Sequence, residues 1–396
     1  MPTEITNEFW GDDWSDVRRN WMIDPEVIFL NHGSFGATPI SVLQEHLAWR
    51  DRLERQPIDF LVRKMPEALN HARACCADFL QADIGGLVFV PNATYAINHV
   101  VNSLPISAGD EILVTNQVYP AVINTMTRLA ERRGASVKMQ DVPFPESESD
   151  ESRMVDSFLA GLSKRTKFVV IEHIASATGL VMPIKRIVDE CRSRSVKCMV
   201  DGAHGPGMFE VNLRQLDPDF WTGNYHKWVC APKVSAGLYV RSEFRDAIKP
   251  VITSNFAGMG YEKEFMWVGT HDPAPFLATP KAIEFLADLG WDRVRTHNHK
   301  LVRYGLNVVS DAVGTKPPIC DSERFYGSMA LVSLPHSFPI HSKDDSESFR
   351  AAFYERTRIE TTFIWWNDRA WIRLSAQVYN APSDYDRLAA ELKSLK

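Results

Sequence analysis

Residues 87–94 read Leu-Val-Phe-Val-Pro-Asn-Ala-Thr, a short apolar run followed by a proline and small polar residues. Four apolar residues bounded by turn formers predict a buried strand, and the apolar spacing from Ala96 to Leu104 predicts that a helix follows directly. A sheet whose strands alternate with helices is mainly parallel and is covered on both faces. The stretch therefore predicts an α/β fold.

The same alternation continues to about residue 241. Further strands are predicted at Glu111–Thr115, Ser136–Val142, Lys167–Ile174, Lys197–Ala203 and Ser235–Arg241, with helices between them near 121–133, 154–163 and 184–194. Strand–helix–strand units of this kind favour right-handed crossovers. Helical spacing also predicts two helices before the first strand, at Ser41–Arg55 and Pro66–Leu80.

Beyond residue 241 the pattern changes. An irregular stretch over 255–275 precedes a helical segment from Thr279 to about Val313, which Gly290 interrupts, and strands at Ser328–Leu334 and around Arg373 predict a smaller α/β domain. We therefore expect three parts. They are an N-terminal arm over residues 1–40 that packs on the small domain or a partner subunit, a large domain over 41–255, and a linker helix with a small C-terminal domain over 256–396.

The composition is that of a globular protein. The 396 residues are 45% hydrophobic and 24% charged, and their number is enough for two domains. A net charge of -6 argues against a nucleic-acid or anionic-membrane partner. Because there is neither a secretory leader nor a run near the ~18 apolar residues of a membrane helix, we expect a cytoplasmic protein whose six cysteines are reduced.

Asp201 and Lys227 carry the strongest chemical signal. Asp201 ends the apolar run Cys198–Val200, at the sheet edge where open α/β folds bind ligands, and Lys227 lies in the aromatic-rich segment 222–228. Pyridoxal phosphate needs a lysine for its Schiff base and an acid facing its pyridine nitrogen. The pair therefore predicts this cofactor, although Asp201 could equally be a helix N-cap and Lys227 an exposed charge.

Lys233 is a competing candidate for the Schiff base. We favour Lys227 because Thr222 offers a hydroxyl for the phosphate and the aromatic neighbours of Lys227 would bury the site, whereas the neighbours of Lys233 at 231, 232 and 234 supply no polar partner.

Other polar residues could complete the same site. Residues 92–94, Asn-Ala-Thr, begin a helix whose N-terminus could hold a phosphate, or they are plain N-caps. His204 could bind the phenolic oxygen of the cofactor or be a satisfied buried histidine. Arg373 could grip a substrate carboxylate or be an exposed arginine of a sheet. The loop 31–36, with a histidine and two glycines, is a tight turn or faces the site.

Other chemistries lack their motifs. Residues 202–207 do not form a dinucleotide-binding Gly-x-Gly-x-x-Gly, and neither a P-loop nor a Gly-x-Ser-x-Gly occurs. His297 and His299 face apart on a helix, so we expect no metal site.

Seven separated motifs recur in one order in a known family. They are LNHGSFG at 30–36, PNAT at 91–94, TGL at 178–180, DGAH at 201–204, TGNYHKW at 222–228, GTHDP at 269–273 and RLSAQ at 373–377. With them the chain resembles the isopenicillin N epimerase-like branch of the class V aminotransferases over about residues 21–392. The resemblance implies a fold-type I pyridoxal phosphate enzyme, and a homodimer whose active sites lie at the subunit interface.

The resemblance also implies roles by position. Lys227 resembles the Schiff-base lysine and Asp201 the partner of the pyridine nitrogen. The further residues implied are His204, Ser176, His226 and Asn92 as cofactor contacts, Ala93, Thr94 and Thr222 as the phosphate cup, Thr270 as the contribution of the second subunit, Tyr119 as the ring over the pyridine, and Arg373 with Asn31 and His32 at the substrate.

The activity implied is chemistry at Cα of an amino acid through an external aldimine. We expect epimerisation or racemisation first, which needs a second acid, Tyr119 or His32. Close rivals are β-elimination by a C–S lyase acting on a cysteine conjugate and, third, transamination, while a non-enzymatic relative is disfavoured by the joint presence of Lys227, Asp201 and Arg373. Persulfide-forming desulfurase chemistry is not expected because the loop 360–369 contains no cysteine.

Overall fold

The structure is a computed structural model that describes residues 14–395. Its strands are β1 (Ile28–Phe29), β2 (Leu87–Val90), β3 (Glu111–Thr115), β4 (Ser136–Gln140), β5 (Thr166–Glu172), β6 (Lys197–Asp201), β7 (Phe220–Asn224), β8 (Ala236–Val240), β9 (Met329–Ser333), β10 (Ile359–Glu360), β11 (Thr362–Trp366) and β12 (Arg369–Ser375). Its α-helices are α1 (Trp14–Arg18), α2 (Ile40–Arg55), α3 (Met65–Phe79), α4 (Ala93–Ser103), α5 (Pro120–Arg133), α6 (Glu151–Leu159), α7 (Ile184–Ser193), α8 (Leu213–Leu216), α9 (Tyr261–Met266), α10 (Ala274–Leu277), α11 (Thr279–Leu289), α12 (Trp291–Val313), α13 (Lys343–Thr357) and α14 (Pro382–Lys393).

A seven-stranded sheet lies at the centre of the larger part of the chain. Its order is β2-β8-β7-β6-β5-β3-β4. The pairs among β3, β4, β5, β6 and β7 are parallel, and β8 runs antiparallel to both of its neighbours. The mainly parallel α/β sheet predicted from strand–helix alternation is therefore confirmed.

Strand β5 shows that both faces of this sheet are covered. Its residues 168–171 are fully buried. Val169 and Ile171 belong to one apolar cluster, whereas Phe168 and Val170 belong to another. Because side chains alternate along a strand, the two clusters lie on opposite faces, and this explains why the sequence of β5 is a continuous apolar run.

Polar residues end three neighbouring strands of the sheet. β5 ends at Glu172, β6 at Asp201 and β7 at Asn224. Glu172 and Asp201 are direct register partners. Parallel neighbours present their carboxyl ends at one edge, so the chain concentrates polar groups where open α/β sheets bind ligands.

The C-terminal part has its own antiparallel sheet of order β11-β12-β9, and α12 packs against α14. β1 pairs with β10 in parallel, and Arg18 donates a hydrogen bond to the carbonyl of Tyr379 at 3.0 Å. Residues 14–40 thus contact this part of the chain. The expected N-terminal arm begins at residue 1, and its first 13 residues lie outside the described ones.

Most predicted elements are present, with shifted ends. Gly290, at φ 87°, separates α11 from α12 as predicted. The predicted strands Lys167–Ile174 and Lys197–Ala203 end earlier, the second because the Asp201 carboxylate accepts a bond from the backbone of Ala203 and turns the chain. Strand β7 was not predicted, because its Thr, Gly and Asn interrupt any apolar run.

Two short helices, α9 and α10, lie within the predicted irregular stretch 255–275 and at its end. Within residues 14–395, the helices are too short or too polar to cross a bilayer.

Candidate active site

The ends of β5, β6 and β7 open into a cavity of about 550 Å³. The predicted site residues that line it are Asn92, Ala93, Thr94, Tyr119, Ser176, Asp201, His204, His226, Lys227 and Arg373. Four others, namely Asn31, His32, Thr222 and Thr270, do not line it. Glu172, Asn224 and Arg350 line it without having been predicted. Asp201 and Lys227, the pair on which the cofactor prediction rests, therefore share one cavity.

The Lys227 amine lies in a polar but buried environment. Its Nζ is 2.9 Å from His204 Nε2. Burial, together with the charge of Arg373, lowers the pKa of Lys227 to about 7, although Asp201 acts in the opposite direction. Near neutral pH a large fraction of this amine is therefore uncharged, which is the form that attacks an aldehyde or accepts a proton.

Trp228 fixes the tautomer of His204. An indole N–H only donates, and Trp228 Nε1 donates to His204 Nδ1 at 3.3 Å. Burial holds the pKa of His204 well below its usual value, so the ring is neutral and carries its proton on Nε2. Nε2–H faces Lys227 Nζ and, at 3.4 Å, Ser176 Oγ. His204 thus presents a hydrogen-bond donor to the cavity.

Lys233, the competing lysine, is placed differently. Its Nζ lies 3.4 Å from Thr38 Oγ1, and the residue does not line the cavity. Among residues 14–395, Lys227 is the lysine that the cavity contains.

Two carboxyl groups form the acidic end of the cavity. Asp201 accepts a bond from the backbone of Ala203 at 3.0 Å, and burial raises the pKa of Asp201. Beside it, Glu172 is 2% exposed and accepts a bond from Thr115 Oγ1 at 2.7 Å, while its Oε1 has no hydrogen-bond partner. Burial raises the pKa of Glu172 to about 7, with a smaller contribution from Asp201 in the same direction.

The N-terminus of α4 faces the cavity. The Asn92 side chain accepts from the backbone of Tyr95 at 3.2 Å and is thus the N-cap, the structural alternative for this residue. The backbone of Ala93 donates to Asn224 Oδ1 at 2.9 Å. Thr94 also lines the cavity, and its backbone and hydroxyl donors have no hydrogen-bond partner within the described residues. An anion at this helix end would meet unpaired donors and the positive end of the helix dipole.

Thr222 and His226 have different surroundings. The Thr222 hydroxyl is fully buried and donates to the carbonyl of Gly237 at 2.9 Å, so it stabilises the sheet and is not available to a phosphate. Asn224, two residues later, is the β7 residue that faces the cavity. His226 Nδ1 donates to the carbonyl of Ser235 at 2.9 Å, which leaves Nε2 for the cavity.

Arg373 is a buried cation that lines the same cavity. It is 4% exposed, its Nη1 donates to the carbonyl of Ser176, and its Nη2 donates to Ser34 Oγ at 2.7 Å and to Asn31 Oδ1 at 3.1 Å. Its Nε has no partner, and no carboxylate pairs with it among residues 14–395. Burial lowers the pKa of Arg373 to about 10, and Arg350 contributes in the same direction. A ligand carboxylate would supply the missing negative charge.

Asn31 and His32 do not line the cavity but bind residues that do. Asn31 orients Arg373, as described. His32 Nε2 donates to the carbonyl of Lys227 at 3.0 Å, and its Nδ1 accepts from Tyr379 Oη at 2.7 Å. Both ring nitrogens are thus engaged, and burial lowers the pKa of His32 to about 3. A Cβ on Gly36 would lie 2.6 Å from the same Lys227 carbonyl, so the absence of a side chain at Gly36 lets the two backbone segments lie close together.

Tyr119 and Thr270 lie at the surface. Tyr119 is 44% exposed and lines the cavity. Thr270 is exposed and does not reach the cavity of its own chain.

These observations test whether pyridoxal phosphate fits. A neutral amine at Lys227 would hold its aldehyde, the buried Asp201 would face its pyridine nitrogen, and the His204 donor would meet its phenolic oxygen. The open donors of Thr94 at the start of α4 would hold the phosphate. The cavity therefore provides a partner for the aldehyde, the pyridine nitrogen, the phenolic oxygen and the phosphate of the cofactor.

The missed residues differ in how visible they are in the sequence. Glu172 and Asn224 are polar residues at strand ends, so the rule that identified Asp201 could have found both, provided that β7 had been recognised. Arg350 comes from helix α13, more than a hundred residues away in sequence, and no local pattern marks it.

Comparison with known proteins identifies the family of the chain. Residues 52–335 match the family model described as aminotransferase class-V. Isopenicillin N epimerase of Streptomyces clavuligerus is 30% identical over 97% of this chain and 98% of its own length. A probable chloroplastic L-cysteine desulfhydrase of Arabidopsis thaliana is 30% identical over 94% of this chain and 83% of its own length.

Solved structures show the same fold. A cystine C–S lyase in complex with cysteine persulfide superposes with a TM-score of 0.79 at 18% identity, covering 94% of this chain and 98% of the lyase. The predicted fold-type I architecture is thereby confirmed. The chain belongs to the class V aminotransferase family and is a pyridoxal-phosphate-dependent enzyme.

Proposed function

We propose that the enzyme moves a proton at Cα of an amino-acid substrate and that Lys227 is the base. The observation that supports this most is the Lys227 amine, which lies 2.9 Å from the His204 donor and whose pKa burial lowers to about 7. When bound, pyridoxal phosphate stabilises negative charge at the substrate Cα. The chain contributes the base, its orientation and a site sheltered from water.

The substrate would be held between the two ends of the cavity. Arg373 would bind the α-carboxylate, because its guanidinium is buried without a carboxylate partner and is oriented by Ser34 and Asn31. Asp201 would keep the pyridine nitrogen protonated. His32 would fix the backbone of Lys227 through the hydrogen bond to its carbonyl.

We favour epimerisation or racemisation as the outcome. This reaction requires that a proton leave one face of Cα and return to the other, so it needs an acid besides Lys227. Of the two acids expected from the sequence, Tyr119 lines the cavity and His32 does not. Tyr119 is therefore our candidate for the second acid.

A β-eliminating C–S lyase is the second candidate. It starts with the same proton removal but needs no acid on the second face. The lyase is favoured because Tyr119 is the single candidate for the second acid and its side chain is exposed to solvent. Transamination stays a third possibility from the sequence.

The products distinguish these reactions. Incubation of the holoenzyme in D₂O with L-amino acids and cysteine conjugates should give deuterium at Cα of recovered substrate and the opposite enantiomer, without pyruvate or ammonia. Tyr119→Phe should reduce formation of the opposite enantiomer by ~10²-fold, as expected for loss of a general acid. Release of pyruvate, at the same rate in Tyr119→Phe, would instead identify the lyase, and stoichiometric keto-acid formation would identify the aminotransferase.

We also propose a homodimer. Leu47, Ile58 and Val62 are each more than half exposed on neighbouring segments, and such apolar exposure favours an interface. Thr270 would reach the cavity of the partner.

Sedimentation equilibrium should give twice the chain mass of 44.9 kDa. Ile58→Glu with Val62→Glu should yield monomers, whereas Met139→Glu, at an exposed apolar residue on the edge strand β4, should not. A wild-type monomer at micromolar concentration would refute the dimer.

A further inference from the structure

Arg350 is a charged residue of the cavity to which the proposed function gives no role. It lies on α13 and lines the same cavity as Arg373 and Lys227. It is exposed, and within residues 14–395 no hydrogen bond or ion pair to its side chain is present. An arginine usually finds a carboxylate or carbonyl partner when one lies within reach. Arg350 therefore offers a free guanidinium to whatever enters the cavity.

The acidic residues near Arg350 are otherwise engaged. On its own helix, Glu347 lies 3.9 Å from Lys343, and the Asp345 carboxylate accepts from the backbone of His341. The acids of the cavity, Asp201 and Glu172, form no ion pair with an arginine in the described part of the chain. The protein itself thus supplies no counter-charge for Arg350.

Arg350 and Arg373 act on each other. Arg350 is among the charges that lower the pKa of Arg373, so the two guanidinium groups are close enough to repel. Placing two cations in one cavity is unfavourable unless ligands neutralise both. One α-carboxylate satisfies Arg373, whose Nη atoms are already oriented by Ser34 and Asn31. A second anion would balance Arg350.

We propose that Arg350 is a specificity-determining residue that binds an anionic group at the end of the substrate side chain. The preferred substrates are then amino acids with a side-chain carboxylate. This inference rests on the proposed function, since it assumes that an amino acid occupies the cavity with its α-carboxylate on Arg373. It adds the chemical class of the side chain, which the family resemblance does not define.

The test compares ligands that differ in charge and hardly in shape. The cofactor absorbance of the holoenzyme is titrated with L-glutamate and L-glutamine, and with L-aspartate and L-asparagine, to give dissociation constants. Wild type should bind the acid of at least one pair about fivefold more tightly than its amide, the range of a partly exposed charge pair. Arg350→Gln should remove this preference and leave the affinity for the amide unchanged.

Two further variants test whether the preference for acids depends on Arg350 itself or only on the positive charge of its helix. Arg356→Gln removes one positive charge from the same helix outside the cavity, and it should keep the wild-type preference. Arg350→Lys should retain part of it, because the charge stays while the planar geometry is lost. Since Arg350 is exposed on a helix, these substitutions should leave folding intact.

The results separate failure of the two proposals. If wild type binds acids and amides equally, or if Arg350→Gln weakens both equally, the inference about Arg350 is overturned while amino-acid binding stands. The same holds if Arg350→Gln changes only the oligomeric state, which would assign the residue to a subunit contact. If neither acids nor amides change the cofactor spectrum, the proposed function itself has failed.

Discussion

The two ends of the cavity differ in charge, in origin and in how the protein stabilises them. The acidic end consists of Asp201 and Glu172, adjacent residues on β6 and β5 of one rigid sheet. The basic end consists of Arg373 and Arg350, from β12 and α13 of the C-terminal part. Lys227 lies in the same cavity and responds to both ends, since Arg373 lowers its pKa and Asp201 raises it.

The difference suggests a division of labour. Groups on adjacent strands have fixed separations, which suits the cofactor, whose shape does not vary. Groups on a strand and a helix of another part of the chain can differ in placement among related enzymes, which suits the substrate. We therefore expect changes at the acidic end to affect the cofactor and changes at the basic end to affect substrate affinity.

The largest effect is expected at Arg373. Arg373→Ala should weaken amino-acid binding by ~2–5 kcal/mol, because it removes one partner of a buried charge pair. Cofactor retention should not change. Titration of the cofactor absorbance with an amino acid and with the corresponding amine measures both. If wild type and variant bind amino acid and amine with equal affinity, Arg373 does not bind the carboxylate.

Asp201→Asn should act on the cofactor end. The amide cannot hold a proton on the pyridine nitrogen electrostatically, so kcat should fall by ~10²-fold at saturating cofactor, as when a preorganised charge is removed from an active site. The KM for the amino acid should change little. The matched control is Glu172→Gln, one strand away, which should reduce kcat far less. Equal losses in the two variants would mean that the two carboxyl groups share one role.

Glu172→Gln should change how the stability of the folded protein depends on pH. The carboxyl titrates at a pKa of about 7 when folded and near ~4.3 when unfolded, so between these values the folded protein binds more protons. Wild type therefore loses stability as pH rises through this window, and the variant does not. In cofactor-free protein, the variant should gain ~2 kcal/mol over wild type between pH 5 and pH 8. Thermal melts with a constant difference would show that Glu172 does not titrate there.

We expect the smallest effect at Trp228, which donates a hydrogen bond to His204. Trp228→Phe removes the donor that fixes the His204 tautomer, which is worth ~1 kcal/mol for one hydrogen bond. The kcat should fall severalfold, and nitrogen-15 spectra of labelled histidine should show a mixture of tautomers. Unchanged spectra in an active variant would mean that another contact fixes the ring.

The two ends also differ in how far the sequence predicts them. Asp201 could be recognised because it ends an apolar run, and strand ends in an α/β fold converge on one edge. Lys227 could be paired with it through the chemical requirement of one cofactor. The sequence offers the hydroxyl of Thr222 to the phosphate, but this hydroxyl donates to the neighbouring strand β8, a contact that the sequence pattern does not reveal.

The basic end depends on long-range contacts that a sequence pattern does not contain. Arg373 could be proposed from alternation in its strand, but its burial depends on Ser34 and Asn31, more than 330 residues earlier. Arg350 lies on an ordinary surface helix, and only the packing of α13 brings it to the cavity. His32, predicted to face the substrate, does not line the cavity and binds the backbone of Lys227.

The proposed chemistry requires that Lys227 bond covalently to the cofactor. Borohydride reduction of the holoenzyme, followed by proteolysis and mass spectrometry, should find the phosphopyridoxyl mass on the peptide containing Lys227 and not on Lys233, and Lys227→Ala should lose both the label and the visible absorbance. A label on Lys233, or a visible band that survives in Lys227→Ala and resists borohydride, would show that Lys227 does not form the Schiff base.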